Sequence, residues 1–203
     1  MTYLSADERR RLIVDAAVHV IATEGLARAT TRRIAEQAQV PLGSLHYCFR
    51  NKDELNLLIL ERGQATMRTA FEDLREGGFE ATLREIVAMY WRWIRDHLGL
   101  HLALVELLMW AIRNKETLIP KEADLWAAVN APFGGDLIEA RLTAAAEADG
   151  LRTAVPVREL TRFLIHRMDG LVFEYAETAD EAGCERQTLL LADALLHLAL
   201  RPG

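Results

Sequence analysis

Apolar side chains recur at spacings of three and four along nearly the whole chain, and runs that alternate apolar and polar residues between turn signals do not occur. A spacing near 3.6 puts such side chains on one stripe of a helix, whereas a half-buried strand needs a period of two. The pattern predicts an all-α fold of about nine helices. Local signals place the helix ends. Ser5-Ala6-Asp7-Glu8 is a capping box, and behind it Leu12, Ile13, Ala16, Ala17, Val20 and Ile21 form one apolar face that ends at Gly25. Thr30 or Thr31 can cap a short second helix with Ile34, Ala35 and Ala38, and Val40-Pro41 breaks the chain before a third with Leu45 and Phe49. Asn51-Lys52-Asp53-Glu54 opens a fourth that carries Leu55, Leu58, Ile59, Phe71 and Leu74 toward Gly77-Gly78, long enough to bridge two domains.

Further along, Thr82-Leu83-Arg84-Glu85 repeats the capping-box pattern ahead of Ile86, Val87, Tyr90, Ile94 and Leu98, with Gly99 expected to end that helix. Leu102 to Ile112 is apolar nearly all round and is expected to be buried. Pro120 precedes a segment with Leu125, Trp126 and Val129. Pro132 and Gly134-Gly135 interrupt it, and a further segment runs through Leu137 and Ile138 to Ala148, ended by Gly150. After Pro156 come Leu160 to Tyr175, and a last helix spans Leu189 to Leu200. The expected division is a helix-turn-helix domain over 1–55 and a larger helical domain over 56–203.

Composition excludes several classes. No apolar run reaches the roughly 18 residues of a membrane span, because Glu106, Arg113 and Asp193 interrupt the greasiest stretches. The first eleven residues are charged and lack the apolar run of a secretory signal, so a cytoplasmic location is expected. Cys48 and Cys184 lie far apart, without metal or redox spacing. His97 and His101 stand four apart with no third ligand at a sensible spacing, so no metal or cofactor is expected. No nucleophile elbow, phosphate loop or carboxylate pair can be read, and no enzyme is expected. The formal charge of −6 hides an asymmetry: residues 1–60 hold eight Lys/Arg against seven Asp/Glu, and the remainder carries a net −7. Arg28, Arg32, Arg33, Arg50 and Lys52 face only Glu36 between positions 25 and 52, a basic island suited to a local anionic contact.

Within that island, the string from Thr30 to Val40 (TTRRIAEQAQV) and from Leu42 to Leu55 (LGSLHYCFRNKDEL) resembles the N-terminal signature of the tetracycline-repressor (TetR) family. The resemblance covers roughly residues 8–60. It implies an N-terminal three-helix helix-turn-helix domain that binds double-stranded DNA, joined to a C-terminal helical domain for effector binding and dimerisation. Thr30 and Thr31 would meet a phosphate at a helix start, and Arg32 a guanine edge or a phosphate. Gly43 and Ser44 would let the third helix approach the major groove, His46 and Tyr47 would reach phosphates or a thymine methyl, and Lys52 matches the phosphate-contacting lysine of the family. His46 or Tyr47 could instead be scaffold, and Arg33 and Arg50 serve equally well as solvated charges. Two positions depart from the family pattern. Gln39 stands where glycine is usual in the turn, and His46 where tyrosine is common, which could make affinity pH-dependent.

The same resemblance implies a homodimer through the helices around 158–176 and 185–200, and the last helix is indeed apolar on too many faces to pack on its own subunit alone. Three tryptophans, Trp91, Trp93 and Trp110, lie within about twenty residues among Met89, Tyr90 and Met109, more aromatic bulk than a core requires. A small apolar or aromatic effector is therefore expected against some of Trp93, Met109, Trp110, Phe133, His166 and Phe173. The function that follows is a ligand-responsive regulator, a repressor released from a palindromic operator when the effector swings the fourth helix. The alternative is a helical ligand-binding or protein-interaction dimer without operator binding.

Overall fold

A computed structural model describes residues 5–75, 77–114 and 130–200. Among them the secondary structure is helical, with no strand: α1 (Ala6–Glu24), α2 (Thr31–Gln37), α3 (Leu42–Cys48), α4 (Lys52–Glu72), α5 (Phe79–Asp96), α6 (Leu98–Arg113), a 3-10 turn (Ala131–Phe133), α7 (Gly135–Ala148), α8 (Val157–Thr178) and α9 (Glu181–Leu200). The segment expected after Pro120, with Leu125, Trp126 and Val129, lies outside the described residues.

The helices fall into two compact units. The first holds α1 to α3, α4 as far as Gly63, and α6 from Gly99. Its core is the apolar stripe of α1, Ile13, Ala17, Val20 and Ile21, closed by Ile34, Ala35, Leu45, Phe49, Leu55 and Ile59. The capping box is formed as expected: Glu8 N–H donates to Ser5 Oγ at 3.2 Å, and Ser5 N–H to Glu8 Oε2 at 2.8 Å. Arg10 binds three features at once. Its guanidinium donates to Cys48 O at 2.9 Å and to Glu54 Oε1 at 2.8 Å, and lies 4.9 Å from the centre of the Phe49 ring, so the end of α3 and the start of α4 are tied to α1. On α6, Leu100, His101, Ala103, Leu104 and Leu107 are buried, while Met109 and Ile112 are exposed. The expectation of burial all round is thus corrected, because only one stripe of this helix meets the core of its unit. The break before α6 also falls earlier than expected, at His97, whose N–H closes on Trp93 O. Gly99 sits inside α6.

The second unit holds the rest of α4 together with α5, α7, α8 and α9. Leu83, Ile86, Tyr90, Ile94, Leu142, Leu164, Met168, Val172 and Leu195 form its buried centre. Thr82 does not start α5. The helix begins at Phe79, where Asp149 from the end of α7 accepts the Phe79 N–H at 2.7 Å, and Thr82 Oγ1 donates back to Gly77 O. A tertiary carboxylate thus does what the local sequence pattern ascribed to Thr82 and Glu85. The unit is laced by Arg84 to Asp193 at 2.7 Å and Arg95 to Glu181 at 2.8 Å.

Candidate nucleic-acid interface

Helix α2 starts on Thr30, whose hydroxyl accepts the Arg33 N–H at 3.1 Å and leaves its own O–H to donate elsewhere. Arg33 also donates to Glu24 at 2.6 Å, which holds its charge against the end of α1 and raises its pKa through that bond. Glu24 is correspondingly lowered. The α2–α3 turn is a Schellman closure: Val40 N–H donates to Ala35 O at 3.0 Å and Gln39 N–H to Glu36 O at 3.1 Å. That closure needs a left-handed residue, and Gln39 supplies it at φ 54°. Helix α7 ends the same way on Gly150 at φ 61°, with Leu151 N–H on Ala146 O. The departure from glycine at position 39 therefore keeps the turn geometry at a cost of about 1 kcal/mol.

Leu45 and Phe49 anchor α3 to the core, and the opposite side of this helix is open. Gly43, His46 and Tyr47 are exposed and Ser44 half-buried. Tyr47 is 81% exposed, which answers the scaffold reading for that residue, as exposure does for His46. Arg32 is equally outward: its side chain is 83% exposed and holds Glu36 at 3.1 Å along the helix, a weak surface pair that a phosphate or base edge can displace. Thr31 is half-buried beside it. Lys52, half-buried at the start of α4, donates to Leu26 O at 3.1 Å, and burial lowers its pKa from the ordinary lysine value. An ammonium carries three donors, so this bond leaves capacity for a phosphate. Thr30, Thr31, Arg32, Gly43, Ser44, His46, Tyr47 and Lys52 all fall in the first unit.

The six residues named for an effector are divided. Met109, exposed, and Trp110, half-buried, belong to the first unit. In the second, Trp93 and Phe133 are buried and His166 and Phe173 exposed. Trp93 stacks on His97 at 5.5 Å. Sequence reasoning gave no role to Arg10, although three consecutive arginines at 9–11 announce it, nor to Thr161, whose hydroxyl is fully buried with no hydrogen-bond partner among the described residues.

A family model described as bacterial regulatory proteins, tetR family, matches residues 13–58. Over 180 residues the chain is 32% identical to the HTH-type nicotine-responsive transcriptional repressor HdnoR of Paenarthrobacter nicotinovorans, covering 85% of this chain and 86% of the relative. The chain belongs to the tetR family of bacterial regulatory proteins. Among solved structures, a transcriptional regulator from Rhodococcus sp. Rha1 matches with a TM-score of 0.72 at 16% identity, over 96% of this chain and 99% of that one. FadR from Bacillus subtilis, in complex with stearoyl-CoA, matches with a TM-score of 0.66 at 19% identity, over 91% and 96%. At such identities the likeness shows a shared fold. As a tetR-family member the protein is a DNA-binding, ligand-responsive transcriptional regulator with its helix-turn-helix in α2 and α3.

Proposed function

We propose that the protein is a homodimeric repressor that grips a palindromic operator through Thr30, Thr31, Arg32, Gly43, Ser44, His46, Tyr47 and Lys52 and leaves it when a small apolar or aromatic effector binds. The single observation that carries operator binding is α3 itself: Leu45 and the capping Phe49 hold it to the core, while Leu42, Gly43, His46 and, foremost, Tyr47 are exposed. A solvated aromatic on a short helix has no packing role, and major-groove reading needs that presentation. Residues 1–55 form the DNA-reading domain in this account and residues 56–203 the domain that senses and dimerises. The role is regulatory and not catalytic, and its place is the cytoplasm, where the operator lies. In keeping with that, no helix among the described residues is long and apolar enough to cross a membrane.

Dimerisation is assigned to α8 and α9, within 158–176 and 185–200. Leu189 is 61% exposed, Leu190 68% and Phe173 55% in the single chain. Phe163, Gly170, Leu171, Leu190 and Ala194 line an open groove of about 440 Å³ beside them. Arg167, Glu174 and Gln187 also line it; exposed apolar side chains among polar ones mark an interaction site, and a two-fold contact here needs about 800 Å² per subunit. The effector is assigned to the second unit, with Trp93, Phe133 and His166 as candidate contacts and the buried Thr161 hydroxyl as a polar group to orient it. The names of the relatives support a small organic ligand, since one is nicotine-responsive and another holds stearoyl-CoA. Release follows from linkage: an effector that prefers the spacing the operator does not match lowers affinity by its preference.

Selection from a random duplex library with the full-length protein tests the reading. Recovery of a palindrome, with binding that weakens steeply as salt rises, is the expected result. Recovery of no preferred sequence overturns it and leaves the helical ligand-binding dimer.

A further inference from the structure

We propose that Glu106, on α6, is a positioning residue for the DNA-reading unit, holding the backbone of Leu26 against which Lys52 is set; the inference rests on the regulator reading above. Glu106 Oε2 accepts the Leu26 N–H at 2.6 Å, a residue eighty positions earlier, and both carboxylate oxygens lie against Gly25. On its other side Leu26 offers its carbonyl to Lys52 Nζ at 3.1 Å and to Ala29 N–H at 3.3 Å. One residue is thus gripped at its N–H by an anion and at its C=O by a cation, and charge-assisted bonds of this kind are the short, strong ones.

The grip replaces something the local backbone omits. Helix α1 ends on Gly25 at φ 88° and ψ 155°, outside the left-handed helical region, and closes only through Gly25 N–H on Ile21 O. The following amide, which a Schellman closure would return to the helix, donates to Glu106 instead. From Leu26 the turn continues through Arg28 N–H on Gly25 O and Thr30 N–H on Arg28 O, and delivers Thr30 as the cap of α2. The carboxylate therefore fixes the route into α2 as well as the seat of Lys52.

Helix α6 reaches α4 too. A Cβ at Gly63 would stand 2.6 Å from Leu104 Cδ1, so the bare backbone of α4 at Gly63 takes the Leu104 side chain, two residues before Glu106 along α6. α6 accordingly touches both structures that set the Lys52 ammonium: the turn whose carbonyl receives it, and the helix that carries it. All of these residues lie in one compact unit. Glu106 is the one acidic side chain in α6, and it is exposed, so its removal leaves the buried stripe of that helix untouched.

The test is a double-mutant cycle on the full-length protein, read by fluorescence anisotropy with the duplex that the wild-type protein selects, alongside amide hydrogen exchange of the free protein. Glu106→Ala is expected to weaken binding about ten-fold. Its log-affinity against log-salt slope is expected to fall toward that of Lys52→Ala, about 0.9 below wild type, the loss of one phosphate contact. In the Lys52→Ala background Glu106→Ala should cost clearly less than it does in wild type, the remainder reflecting the route into α2, and Glu106→Gln, which keeps an acceptor oxygen, should restore most of the affinity. Exchange at the Leu26 amide should rise in Glu106→Ala while the α1 core stays protected. Additive losses in the cycle, unchanged binding by Glu106→Ala, or an unaltered Leu26 amide each overturn the positioning role with the regulator reading intact. A wild-type protein that selects no duplex overturns both.

Discussion

Replacing Gly43 by alanine and by leucine separates what α3 needs to fold from what it needs to read DNA. Gly43 lies in the first turn of α3, is exposed, and has no heavy atom within 4 Å of the position a Cβ would take. A side chain is therefore free of clashes in the unbound protein. Glycine inside a helix costs about 0.8–1 kcal/mol against alanine, and about half of that applies in a first turn. Gly43→Ala should thus stabilise the free chain by about 0.5 kcal/mol, a melting-temperature gain of roughly 1–2 °C for a chain of this size. Gly43→Leu, also unhindered, should leave the melting temperature near wild type. Binding should move the other way. If the start of α3 rests on the duplex, the added leucine holds the helix off it, and losing one base contact costs about 1–3 kcal/mol, roughly a five- to 150-fold weaker complex. Melting curves and anisotropy titrations on the selected duplex measure the two quantities separately. Undiminished affinity in Gly43→Leu would refute the placement of α3 against DNA, because nothing else in the structure requires a bare backbone there.

Gln39→Gly should raise stability by about 1 kcal/mol by relieving the left-handed conformation, visible as a later midpoint in urea; an earlier midpoint would count against it. Leu190→Glu should yield a monomer with unchanged helicity, since the side chain is exposed in the single chain, and size-exclusion with light scattering would show a persisting dimer if the α8–α9 assignment is wrong. Lys52 has a lowered pKa through burial, so the unfolded chain holds its proton to higher pH. Its burial thus costs stability at neutral pH, and that cost is relieved as pH rises through the folded-state value. Operator affinity should fall over the same alkaline range in wild type and later in Lys52→Arg; coincident pH profiles would contradict the phosphate role.

Local signals were legible wherever a helix end closes on its own neighbours. Ser5 and Glu8, Thr30, and Asn51 accepting from Glu54 N–H all cap as the sequence indicates, and Gly25, Pro41 and Gly150 fall at breaks. Helix ends whose partner is distant in the chain carry no such local signal. α5 is capped by Asp149, seventy residues away, so the Thr82–Glu85 pattern points four residues too far in. The break at His97 carries no glycine or proline to mark it, and Gly99 drew attention instead. Burial of α6 was over-read because an apolar sequence records what can be buried, not which stripe has a neighbour. In the DNA-reading site, the apolar spacing marks Leu45 and Phe49 as core, and exposure removes the buried-scaffold alternative that the sequence leaves open for His46 and Tyr47. Glu106 was visible only as an interruption in an apolar run; a lone carboxylate in such a run is the signal that it answers a specific donor.

Entry of two copies of α3 into successive major grooves of one palindrome is tested most directly by hydroxyl-radical footprinting of the selected duplex. Protection symmetric about a dyad is expected, in two tracts whose centres lie about one helical turn, 10–10.5 base pairs, or a whole multiple of it apart. A single tract without a dyad, or protection spread evenly along the duplex, would contradict it.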